Sequence, residues 1–133
     1  YGQFEWRLRQ DPRVVLMERT NVRYLEPGAI AEPIDLIVID VSFISLTLVL
    51  PAVVAYLVAS GSIITLIKPQ FEVGKGLVGR GGIVRDDALR ESTVEKVVSC
   101  AKDLGLQLAG RMDSPIEGRK GNREFLAWFQ RKV

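Results

Sequence analysis

Asp40 and Lys68 are the residues in this chain whose types and spacing most invite chemistry. Every position between them, 41 to 67, is uncharged, in a sequence whose residues are 26% charged. An acid and an amine that bracket such a run either mark the two ends of a membrane-crossing segment or meet where a buried segment returns to the surface. Pro51 and the triplet Ser60-Gly61-Ser62 interrupt the run, so it reads as the end of a strand, a helix and a second strand. The two charges then stand at the carboxyl ends of neighbouring parallel strands, where open α/β sheets bind ligands. Plainer readings exist for both. An Asp followed by Ser after a strand often only caps a helix, and a strand-end Lys before Pro is usually solvated.

Composition removes several alternatives. The chain has no histidine and one cysteine, which excludes Ser-His-Asp and Cys-His nucleophile pairs and makes a structural zinc site untenable. Cys100 has no partner for an intramolecular disulfide, which fits a reducing compartment such as the cytoplasm. A net charge of +2 permits an RNA partner without arguing for one. With 133 residues, 47% of them hydrophobic, the sequence suits one globular domain. It starts at Tyr1 with a charged, amphipathic segment and no basic-then-apolar leader, and reads as a piece of something longer.

The elements that must position the pair follow from the apolar pattern. Gln3 to Gln10 reads as a short helix end stopped at Asp11-Pro12, and Val14 to Met17 as a brief strand. Glu18 to Pro33 is polar, with room for a short helix or none. Ile34 to Ile39 is the clearest buried strand. Ser45 can cap a helix running from Leu46 to Ala59, with Gly61 as its stop; Pro51 then requires a kink or an irregular first turn. Ser62 to Ile67 is the next strand. A long loop from Phe71 to Arg85 holds five glycines, at 74, 76, 79, 81 and 82. Asp86 or Asp87 caps the most secure helix, with Leu89, Thr93, Val97, Ala101 and Leu104 on one stripe and Gly105 ending it. Leu106 to Arg111 and Glu124 to Phe129 make the last two strands, joined by a loop too polar for a helix. The alternation calls for a mostly parallel sheet with helices on both faces and an antiparallel last strand.

Three separated stretches carry a resemblance: Asp-Val-Ser-Phe-Ile-Ser-Leu at 40–46, Ile-Lys-Pro-Gln-Phe-Glu-Val-Gly-Lys-Gly at 67–76, and Ser-Pro-Ile-Glu-Gly with Gly-Asn-Arg-Glu-Phe-Leu within 114–126. Together with Tyr1-Gly2-Gln3 and Arg19-Thr20-Asn21-Val22-Arg23, they resemble the hemolysin-A-type branch of the FtsJ-like ribosomal RNA 2′-O-methyltransferases across essentially the whole chain. The resemblance implies a Rossmann-like α/β fold dependent on S-adenosylmethionine and truncated at its N-terminus. The family's glycine-rich cofactor loop, its first catalytic lysine and a small RNA-binding domain would all lie before Tyr1. The whole chain, 1–133, is thus expected to be a partial methyltransferase domain, inactive alone and weak or deficient in cofactor binding.

By motif, Asp40, Lys68 and Glu124 remain of the family's Lys-Asp-Lys-Glu catalytic set. Lys68 would act either as the base for the 2′-hydroxyl or as the charge that holds the developing alkoxide. Asp40 would orient that amine or lie near the methionine end of the cofactor, and Glu124 would hold the ribose or the ammonium groups. Asn21, Ser42 and Phe43, with Asp40, are the candidate cofactor contacts; a turn-forming Asn and a core Phe are the alternatives. Lys75, Arg80 and Arg85 in the glycine loop, and Arg119, Lys120 and Arg123 before Glu124, are the candidate RNA contacts. The loop lacks the P-loop pattern, and both basic groups also suit an ordinary solvated surface. Two rivals come from other classes: a membrane-active hemolysin and a non-catalytic RNA-binding module. Ribosomal RNA or a ribosomal subunit is the expected partner, without stable membrane insertion, and exposed sheet edges are expected to favour a homodimer.

Overall fold

The uncharged middle of the chain folds back on itself. In the computed structural model, which describes residues 6–26, 28–74 and 76–132, strand β1 (Ile34–Ile39) leads through a tight turn into helix α2 (Leu46–Val54), and strand β2 (Leu57–Ile67) returns parallel to β1. Strands β3 (Leu106–Asp113) and β4 (Phe125–Arg131) complete a four-stranded sheet of order β1-β2-β4-β3. β4 is antiparallel to both β2 and β3, so three strands point one way and the last runs against them. Helix α4 (Asp87–Asp103) precedes β3, and two single-turn helices, α1 (Trp6–Arg9) and α3 (Pro69–Glu72), finish the inventory.

The ends of the two long helices are explained by local chemistry. Ser45 accepts the Thr47 N–H, and the buried Glu72 carboxylate accepts the Leu46 N–H at 2.8 Å and the Ser45 hydroxyl at 2.6 Å. A negative group at a helix amino end is favoured by the backbone dipole, and Lys96 at 3.3 Å completes its pairing. Asp86 caps α4 through the Ala88 and Leu89 N–H groups, and Gly105, at φ +83°, ends it.

α2 is shorter than its sequence suggests, and the chain enters β2 at Leu57 rather than Ser62. Arg131 decides the boundary: its guanidinium donates to the carbonyl of Val54 at 2.7 Å and to that of Leu57 at 3.1 Å, while Leu57 pairs with Ile34. Pro51 lies inside the helix, three residues before its end. The expected strand at Val14–Met17 does not form. These residues pair with no strand, and Val15, Leu16 and Met17 are exposed. Among the described residues, the polar stretch that follows them, 18–33, holds the short turn Val22–Tyr24 as its helical piece.

α2 and α4 pack on one face of the sheet, over Ile39, Ile63, Ile67, Ala127 and Phe129. The expectation of helices on both faces is not met among the described residues: Leu36, Val38, Ile64, Met112 and Trp128 stay exposed. Phe129, fully buried between Ile63 on β2 and Leu108 on β3, is the largest fully buried side chain among the described residues. Phe129→Ala should lower unfolding stability by about 3–5 kcal/mol, read as a reduced denaturant midpoint at unchanged slope. Among the described residues no helix is long and apolar enough to cross a membrane.

Candidate active site

Asp40 follows β1 and Lys68 follows β2, so the parallel pairing sets them side by side at the carboxyl edge of the sheet. The Lys68 amine lies 2.5 Å from the Asp40 carboxylate and donates to the Ser42 hydroxyl at 3.3 Å. The side chain of Lys68 is only 13% exposed, against 63% for Asp40. The amine is therefore held by its neighbours, while the acid keeps a free edge toward solvent.

Glu124, one residue before β4, lines the same cleft of about 430 Å³ as Asp40, Ser42 and Lys68. Its carboxylate is buried and accepts a 2.9 Å hydrogen bond from the Gln70 amide. The backbone of Gly118 also comes so close that a β-carbon there would overlap the Glu124 carboxyl group, at the same oxygen that accepts from Gln70. A side chain at 118 would press on that carboxyl group by proximity, not through dihedral strain. The three acid and amine groups picked from the sequence thus converge on one cleft.

Phe43 lines a smaller neighbouring cavity, with Gln70 and Phe71, rather than the cleft itself. Its φ of +63° is unusual for a bulky residue and stores strain at the turn, and the ring, 75% exposed, leans on Phe71 at a centroid distance of 4.8 Å. The strained turn presents an aromatic face beside the acid–amine pair rather than adding to the core.

The other candidates disperse. Asn21 is not brought to the cleft: without the preceding strand it caps the Val22–Tyr24 turn by accepting the Arg23 N–H, and it lines a separate depression with Met17, Tyr24 and Ala29. Lys120, at φ +60°, is exposed beside Phe43, Phe71 and Gln70. Arg123 is exposed in a charged groove next to Arg90, Glu91 and Arg111. Arg85 is exposed, with its guanidinium near Gly79. Arg80 and Arg119 lie in short turns flanking the site. Lys75 lies outside the described residues. Among the described residues no cluster of His, Cys, Asp or Glu could hold a metal.

Three residues of the recognised motifs have jobs that sequence reasoning missed. Glu72 caps α2, as described above. Asn122 ties the glycine loop to the segment before Glu124, accepting the Val84 N–H at 3.0 Å and donating to the Gly82 carbonyl at 2.9 Å. Gln70 binds Glu124. Their only signal was membership of the motifs, since each acts through contacts distant in sequence. Cys100 is a bystander, its thiol pushed up mainly by burial and then by Asp103.

Known proteins resemble this chain in sequence and in fold. The chain is 51% identical over 130 residues to the Mycobacterium tuberculosis protein named 16S/23S rRNA (cytidine-2′-O)-methyltransferase TlyA, covering 98% of this chain and 48% of that protein. It superposes on a hemolysin-named protein of Streptococcus thermophilus with a TM-score of 0.93 at 44% identity, covering 99% of this chain and 48% of the other. A more distant likeness, in fold alone, is to the N-methyltransferase NodS of Bradyrhizobium japonicum, solved with S-adenosyl-L-homocysteine (TM-score 0.53, 17% identity, 86% of this chain and 53% of that one). The chain spans about half the length of the curated relatives it matches. The model of the FtsJ-like methyltransferases matches residues 1–131, and this chain belongs to that family.

Proposed function

We propose that this chain supplies part of the catalytic domain of a ribosomal RNA 2′-O-methyltransferase, which moves a methyl group from S-adenosylmethionine to a ribose 2′-hydroxyl. The observation that carries the reading is the Asp40–Lys68 pair at two adjacent parallel strand ends, with Glu124 in the same cleft. The name of the mycobacterial relative supports the reaction and substrate class, and an RNA substrate of this kind puts the protein in the cytoplasm.

The donor set fits the cofactor. Asp40 and Ser42 offer a carboxylate and a hydroxyl for its ammonium and hydroxyl hydrogens, and Phe43 offers an exposed aromatic face. When bound, the cofactor supplies an electrophilic methyl group. Lys68 holds the negative charge that develops on the 2′-oxygen, which is electrostatic stabilisation by a preorganised donor, and the hydroxyl proton is released to water at the solvent-facing edge beside Asp40. Asp40 and Ser42 fix the direction of the amine. Glu124, shielded from water, accepts hydrogens of the ribose. Lys75, Arg80, Arg85, Arg119, Lys120 and Arg123 neutralise phosphates of the bound RNA.

The 133-residue chain and the full reading frame that contains it should be titrated with S-adenosylmethionine by calorimetry and incubated with ribosomal RNA, followed by mass spectrometry of the RNA. The chain alone should bind the cofactor weakly or not at all, and the full frame should bind it and methylate a ribose. RNA binding by the full frame without cofactor binding would instead make it a non-catalytic RNA-binding module.

A further inference from the structure

Gln70 follows Lys68-Pro69 in α3, between the amine and the helix-capping Glu72. Its side chain lines both the cleft of Asp40, Lys68 and Glu124 and a smaller cavity formed with Phe43, Phe71, Gly82 and Lys120. The amide orientation is dictated by chemistry. An ionised carboxylate only accepts hydrogen bonds, so the NH₂ group faces Glu124 and the carbonyl oxygen must face away from it. That oxygen is buried and has no donor among the described residues.

A buried acceptor without a donor is rare in native proteins and asks for an explanation. Two of the nearby side-chain donors are committed elsewhere. The Lys68 amine is taken by Asp40 and Ser42, and the Asn122 amide by the Gly82 carbonyl. Of the other neighbours in the smaller cavity, the two phenyl rings and two glycines bring no side-chain donor, and the exposed Lys120 ammonium makes no hydrogen bond to this oxygen.

We propose that Gln70 is a positioning residue for Glu124, fixing the direction of its carboxylate, and that its carbonyl oxygen accepts a hydrogen bond from an N–H or O–H group of the bound reactants. This rests on the methyltransferase reading and adds to it a fourth member of the cleft. The donor belongs either to the target nucleoside or to the ammonium group of the cofactor's methionine moiety, and the two sources separate in binding measurements.

The test uses the full reading frame with Gln70→Ala and Gln70→Glu, assayed for methyl transfer to ribosomal RNA across pH, for S-adenosylhomocysteine affinity and for melting temperature. Gln70→Ala should lower kcat/KM by about tenfold to thirtyfold, as expected for a lost hydrogen bond to a charged group, without a matching change in melting temperature. Weakened S-adenosylhomocysteine binding assigns the donor to the cofactor; unchanged binding with a raised KM for RNA assigns it to the nucleoside. Gln70→Glu sets a second carboxylate against Glu124, and the pair then favours sharing one proton. Its activity, relative to wild type, should fall as pH rises and recover toward acid pH, a signature that a purely structural role would not give. A Gln70→Ala enzyme within twofold of wild type, or, should that variant not fold, a Gln70→Glu enzyme with the wild-type pH profile, overturns the proposal alone. Absence of transfer by the wild-type protein overturns the methyltransferase reading and this role with it.

Discussion

Lys68→Met in the full reading frame should reduce methyl transfer about a thousandfold or more, while RNA affinity stays within about threefold. Loss of a positioned proton-handling group costs ~10²–10⁴ in rate, and a charge aimed at a developing alkoxide contributes on a comparable scale. The geometry places Lys68 toward the upper part of that range. Its amine is nearly enclosed and held by both Asp40 and Ser42, so little reorganisation is needed at the moment of reaction. Methionine keeps the packing of the aliphatic stem and removes only the charge. The partner left behind, Asp40, is more than half exposed and returns to water at little cost, so the variant should fold. Single-turnover transfer and filter binding of RNA separate the two effects. Undiminished turnover would remove Lys68 from the mechanism.

The Asp40–Lys68 pair was legible because nothing between the two residues competes for them. An uncharged run that must be buried fixes where its charged ends emerge, and parallel pairing does the rest. The boundary between α2 and β2 was not legible. The stretch Ala52–Ala59 is apolar throughout, and periodicity cannot separate a buried helix from a buried strand there. The deciding contacts come from Arg131, on the far side of the sequence. The false strand at Val14–Met17 failed for the complementary reason: local β propensity forms no strand without a neighbour to pair with. Asn21 was misplaced as a consequence, since its expected height in the sheet depended on that strand. Gln70, Gly118 and Asn122 lay inside recognised motifs, but their roles reside in three-dimensional contacts with Glu124 and the glycine loop. Spacing in sequence carries no trace of such contacts.

Gly118→Ala should be the second most damaging change, reducing methyl transfer about a hundredfold although it adds a single methyl group. The added β-carbon would occupy the space of the Glu124 carboxyl group. Backbone on both sides is constrained, because Gly118 donates its N–H to the Asn122 carbonyl at 2.7 Å and Ser114 donates to the Glu124 carbonyl at 2.8 Å. The carboxyl group, at the end of a side chain with rotatable bonds, is the part that can yield. It would swing off Gln70 and away from the direction it has in the cleft. A displacement on the order of 1 Å in a reacting constellation can cost ~10²-fold in rate. The cost in stability should be smaller in proportion, about 1–3 kcal/mol, as for other overpacked sites. The discriminating measurement is a double-mutant cycle with Gln70→Ala. Both changes release the same carboxylate, so their effects on transfer should be strongly less than additive. Full additivity would mean that Gly118 and Gln70 act on the reaction by separate routes, and a Gly118→Ala enzyme with wild-type turnover would show that the direction of Glu124 does not matter.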